Sequence, residues 1–204
     1  MERNRIVKSA GVRRNIIRVD ITDALARAFF GEWARVGYAA MSLERVAKEA
    51  GVGKAALYRR WPDKKAMACD LLARVGLTLT VSDDQETLEA DLRTLLFSLR
   101  RILRHPTVRR VVTDLQAEIE RTPILGQVLR PYQRAQLAGV DMLIDRAIAR
   151  GEVTSAVDRE TAADMIFAPL HWRVAVIFGQ YDSAYIGRLA RMIAAAIKAS
   201  DDQG

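Results

Sequence analysis

Side chains able to do covalent chemistry are few and scattered. Two histidines and one cysteine occur in 204 residues: His105 stands beside Pro106, His171 beside Trp172, and Cys69 falls in a helical pattern with no activating partner nearby in sequence. An activated nucleophile needs an adjacent base and a third group to orient it, and a structural zinc site needs four nitrogen or sulfur ligands. Neither set can be drawn from these residues, so no enzymatic activity, metal or cofactor is expected. Side chains suited to non-covalent recognition are concentrated instead. After Gly51, a short helical stretch places Lys54, Ala55, Tyr58 and Arg59 as candidates for one outward face, while Val52 and Leu57 point inward.

Charge follows the same division. The chain carries a formal net charge of +7, but residues 1–65 hold 15 Lys and Arg against 7 Asp and Glu, and residues 66–204 hold 17 against 18. All of the excess therefore lies in the first third. A local basic excess suits a polyanionic partner, either nucleic acid or an acidic membrane surface, and a solvated basic face is the plain alternative. No run approaches the roughly 18 consecutive apolar residues of a membrane span. The first eleven residues are basic and polar where a signal peptide would turn apolar. With a lone cysteine that suits a reducing compartment, the expected location is cytoplasmic, with no membrane partner.

The elements that must position these residues are helices. Period-2 runs of β-branched residues are missing, and apolar residues recur at spacings of three and four almost throughout, so the expected class is all-α. Ile17, Ile21, Leu25, Ala28, Phe29 and Trp33 form one stripe, ended by Gly37 and Tyr38. Ser42 suits the N-cap of a second helix running to Ala50, with Val46, Ala47 and Ala50 inward. Gly51 stops it, a third helix carries Lys54 to Arg60, and Pro62 and Asp63 precede a fourth from Lys64. Longer helices are expected over roughly 84–104, 107–121, 124–150, 159–178 and 183–200, with a kink at Pro169. The expected organisation is a flexible basic tail over 1–12, a helix-turn-helix domain over 13–65, and a helical domain over 66–204, the last two joined by the helix near 64–80.

A helix, a glycine turn and a second helix could be no more than a structural hairpin. The wider context is more specific. Gly37-Tyr38, Ser42, Ala47 with Ala50-Gly51-Val52, Leu57-Tyr58, Trp61 and Lys64 resemble the signature of the tetracycline-repressor (TetR) family over about 50 residues. The resemblance implies a homodimeric, sequence-specific transcriptional regulator, commonly a repressor, bound to a palindromic operator in double-stranded DNA. It implies that Ser42, Tyr58 and Lys64 touch phosphates, which orient the head without reading sequence. Lys54 and Arg59 then become the leading candidates for base edges, with Arg45 a further candidate contact. Gly53, Ala55 and Ala56 depart from the Ser, Gly and Thr frequent in the family. Gly53 still serves as a weaker cap, and Ala55 or Ala56 could meet a thymine methyl. Arg3, Arg5, Lys8, Arg13 and Arg14 form a tail that is either a minor-groove arm or solvated chain.

In the last third, Ile186, Leu189, Ala190, Ile193, Ala194 and Ile197 make a stripe beside an apolar helix carrying Met165, Ile166, Leu170, Trp172, Val174 and Val176. These two helices either complete the core or pair with their copies in a two-fold four-helix interface, as the resembled family does. Phe97, Tyr132, Met142, Phe167, His171, Trp172 and Arg173 are candidate linings of a cavity for an unknown small-molecule effector, with ordinary packing the alternative for each. A helical module that binds a membrane surface or a protein without reading DNA is the competing function.

Overall fold

The structure, a computed structural model, describes residues 22–75, 83–177, 179 and 182–201. Every regular element among them is helical: α1 over 22–36, α2 Leu43–Glu49, α3 Lys54–Arg60, α4 Lys64–Val75, α5 Leu88–Leu103, α6 Pro106–Arg121, α7 Pro123–Ala149, α8 Arg159–His171 and α9 Ser183–Asp201, with a π-helical segment at Trp172–Val176. The basic tail and the start of the first apolar stripe, including Ile17 and Ile21, lie outside the described residues.

Two compact units are present. The first comprises the described residues through Arg74 together with Arg110–Leu125. Its core follows the period-3.6 pattern: Leu25, Ala28, Phe29 and Trp33 of α1, Val46 and Ala47 of α2, Leu57 of α3, and Met67, Ala68 and Leu71 of α4 are all buried. Phe29, Phe30, Trp33 and Tyr38 meet through ring contacts with centroids 4.9–6.3 Å apart. Asp114 of α6 closes this cluster. Its Oδ2 accepts the Trp33 indole N–H at 2.7 Å and the Tyr38 backbone N–H at 2.9 Å. It thereby satisfies a buried donor and caps the chain as it leaves α1.

The second unit holds the described residues from Val75 through Arg109 and from Gly126 onward. Leucines of α5, Val140, Leu143 and Ile144 of α7, Ile166 and Leu170 of α8, and Ile186, Ile193 and Ile197 of α9 form its core. A charged clasp ties three parts of this unit. The Glu152 carboxylate accepts the Leu88 N–H at the start of α5 (2.9 Å), the Arg150 guanidinium (2.8 Å) and the Lys198 ammonium of α9 (2.8 Å). Arg150 also reaches the buried Asp91 at 3.1 Å and Asp84 at 2.6 Å. Burial alone would raise the Glu152 carboxyl, but the hydrogen bonds from Lys198, Arg150 and Leu88 outweigh it and hold the group below the usual carboxylate range.

Two boundaries differ from those expected. α5 begins at Leu88 and not near Asp84: Thr87 caps it by accepting the Ala90 N–H, while Asp84 accepts the Glu86 N–H and the Arg150 guanidinium outside the helix. α8 stops at His171. Pro169 has no N–H to give, and one turn later the pattern widens, with the Ile177 N–H reaching back to the Trp172 carbonyl at 3.1 Å. A second proline, Pro131, sits inside α7, whose helix continues through it.

Candidate nucleic-acid interface

The helix pair α2 and α3 is built by its turn. Gly51 has φ +67°, its N–H meets the Lys48 carbonyl at 3.2 Å, and the Val52 N–H meets the Ala47 carbonyl at 2.9 Å. This is the double hydrogen bond of a Schellman end, which needs a left-handed residue and so favours glycine. Ala47 is buried beneath it and Leu57 is wholly buried on α3. With that inner face fixed, Lys54, Ala55, Ala56, Tyr58 and Arg59 are all left exposed on the outer side of α3. Gly53 precedes them in extended backbone (φ −64°, ψ 137°) and is itself exposed.

The flanking candidates sit as follows. Ser42 occupies the N-cap position of α2 in extended backbone, but its hydroxyl makes no capping bond to that helix. Lys54 forms an exposed ion pair with Glu44 at 2.7 Å. The Arg45 Nε lies 3.2 Å from the Glu32 carboxylate, whose other oxygen takes two bonds from Arg35 at 2.7 and 2.9 Å. Arg45 is thus tied to the interior of the head through a buried acid. The Lys64 ammonium donates to the carbonyls of Tyr38 (2.6 Å) and Ala39 (2.9 Å) and lies 4.6 Å from the centroid of the Tyr38 ring. An ammonium has three N–H donors, so this anchoring still leaves one. Burial, with the charges of Cys69, Glu118 and Asp63, pushes the Tyr38 phenol up to about 12, keeping it neutral beneath Lys64.

Arg60 packs its guanidinium 4.5 Å from the centroid of the Trp61 ring and donates to the Thr22 hydroxyl at 2.7 Å. The Trp61 indole donates to Asp70 at 2.9 Å. Asp70, Glu32 and Asp114 all shape the head, and none is visible as a site residue in sequence. Asp114 has one signal: it is the first acid after 22 acid-free residues from Leu92 to Thr113.

Among the candidate cavity residues, only Arg173 lines the larger cavity of the second unit. Phe97 and Phe167 are half-buried against the core. Tyr132 is half-buried, accepts the Gln136 side-chain N–H at 2.8 Å, and is pushed up to about 12 by burial. Met142, His171 and Trp172 are exposed. Cys69 has its thiol raised by burial against the pull of Lys65, the opposite of an activated nucleophile. No group of three or more potential metal-ligating side chains occurs among the described residues, and no helix among them is long and apolar enough to cross a membrane.

Comparison with known proteins agrees with this geometry over both units. Residues 24–77 match the family model described as bacterial regulatory proteins, tetR family, and residues 82–193 match the tetracyclin repressor-like C-terminal domain. A DNA-binding transcriptional repressor TetR of Mycobacteroides abscessus is 30% identical over 159 residues, covering 76% of this chain and 82% of that protein. A TetR-family transcriptional regulator of Mesorhizobium loti has a similar fold, with a TM-score of 0.71 at 19% identity over 88% of this chain and 96% of its own. The regulator FadR of Bacillus subtilis, solved with stearoyl-CoA, gives 0.71 at 20% identity over 88% and 99%.

Proposed function

The chain belongs to the tetR family of bacterial transcriptional regulators, whose members bind DNA through a helix-turn-helix head, and from that premise we propose a homodimeric repressor that reads a palindromic operator and responds to a small molecule. The observation carrying the reading is the outer face of α3, where one buried leucine and a glycine-fixed turn leave Lys54, Ala55, Ala56, Tyr58 and Arg59 exposed together. In this reading the head over 13–65 contacts DNA: Lys54 and Arg59 meet base edges, and Ser42, Tyr58 and Lys64 meet phosphates. Arg45 is assigned a supporting contact, because its charge is already shared with Glu32.

The segment 66–204 dimerises and senses. Dimerisation through α8 and α9 is supported by apolar side chains that a lone chain leaves in water: Trp172, Val176, Ile177 and Met192 are 46–69% exposed. An effector would act by binding better to one arrangement of the body than to another and so shifting the population of DNA-competent dimers.

The test is selection of bound duplexes from a random DNA library by the purified full chain. The expected product is a two-fold symmetric motif with regularly spaced half-sites. No enrichment from a folded dimer at moderate salt would refute specific operator reading.

A further inference from the structure

Outside the head, positive charge is gathered at one place in the second unit. From Leu92 to Thr113 the sequence has six arginines and no Asp or Glu, although residues 66–204 are close to neutral as a whole. The fold brings Arg100, Arg104 and Arg109 from this run to a cavity of about 620 Å³, and adds Arg173 from the π-helical segment and Arg188 from α9. Asp182 is the one acid lining it among the described residues, and its carboxylate already accepts the Tyr185 N–H at 2.7 Å. The lining therefore carries five positive charges against one negative.

Arg173 is held in position. Its guanidinium carbon lies 4.3 Å from the centroid of the Tyr185 ring, and its carbonyl accepts the Gly179 N–H at 2.9 Å. A Cβ at Gly179 would come within 3.3 Å of the Arg173 Nη1, so the absence of a side chain there leaves room for the guanidinium. The cavity is the size of a small-molecule site, roughly 300–1,000 Å³. Arginine forks match the oxygens of phosphate or carboxylate two at a time. Several of them around one concavity repel each other until a multivalent anion enters.

We propose that this cleft binds a small phosphate-bearing molecule with at least two negative charges, a diphosphate or its like. Its identification with the effector rests on the regulatory reading above; its existence as an anion site does not. Two phosphates in one molecule, and not a single carboxylate, suit five arginines drawn from four elements.

Calorimetric titration of inorganic pyrophosphate into the full chain at fixed ionic strength tests this, with orthophosphate and citrate as comparison anions. The expected result is saturable binding of one pyrophosphate per chain, at least tenfold tighter than either comparison. An R104Q/R188Q variant, changed only at exposed positions, should bind pyrophosphate at least tenfold more weakly. Gly179→Ala, by displacing Arg173, should weaken it several-fold. K54A/R59A in the basic head should leave it unchanged. Absence of saturable binding, citrate binding tighter, or loss in the head variant but not in R104Q/R188Q would each overturn the proposal. Operator affinity is then compared with and without pyrophosphate. An unchanged operator affinity beside cleft binding would leave the anion site standing and remove its role as effector site.

Discussion

Lys54 illustrates how an exposed side chain can be paired and still available. Its 2.7 Å ion pair with Glu44 joins two side chains that are each about 60% exposed, and such pairs are worth between nothing and about 1 kcal/mol. Exchanging Glu44 for a base edge therefore costs little. Lys64 differs, since its ammonium holds two backbone carbonyls at the start of α4. Lys54→Ala should accordingly cost about 1–3 kcal/mol on the preferred operator and relax the choice of base there. Lys64→Ala should weaken all duplexes alike, and should also loosen the turn after α1. Competition binding against a panel of single-base operator variants checks both, and parallel losses across the panel for the two variants would reject the division of roles. The outward set was legible in the sequence because Gly51 and Leu57 fix which side of α3 faces in. The commitments of Arg45 and Lys64 were not, because they depend on Glu32 and on the carbonyls of Tyr38 and Ala39, groups brought close only by tertiary packing.

Among the elements, those with strong local punctuation kept their expected ends: Gly37 after α1, Ser42 before α2, Gly51 after it, Pro62 before α4. Those ended by distant partners did not. The start of α5 is decided by Glu152 and Arg150, some 60 residues away, and the π-helical segment is a response to Pro169 that periodicity cannot specify. Asp114 is the most consequential of these distant partners. Asp114→Ala would strand the indole N–H of Trp33 and the N–H of Tyr38, at about 1–3 kcal/mol for each buried group left unpaired. Its unfolding midpoint in urea should fall well below that of Asp114→Asn, which keeps an acceptor in place; equal midpoints would show that these bonds contribute nothing. The Glu152 clasp predicts a pH dependence. Its carboxyl is depressed in the folded chain, so the stability it contributes is present above the unfolded value of about 4.3 and is lost as pH falls through the folded one. Glu152→Gln should lower the melting temperature most near neutral pH. The gap to the parent chain should narrow below about pH 4, and a gap constant with pH would exclude the charge as the cause.

At the scale of the whole molecule, the apolar side chains left in water have to be explained. Trp172 is 56% exposed and Met192 69% exposed on a unit whose remaining large apolar residues are mostly buried. Scattered exposed leucines need no explanation, but an exposed tryptophan with Val176 and Ile177 on the next turn is costly to leave hydrated. Coverage by a second copy would also set two heads on one two-fold axis, the arrangement a palindrome requires. If α8 and α9 are that interface, charge at its centre should separate the copies without unfolding either, because both side chains already tolerate water. W172E/M192E is therefore expected to sediment as a monomer with unchanged helical circular dichroism. It should lose the full operator by far more than it loses a single half-site, since the second head no longer binds as part of the same molecule. A variant that stays dimeric at low micromolar concentration would move the interface elsewhere. One that loses full and half sites equally would show instead that the heads act independently in the parent chain.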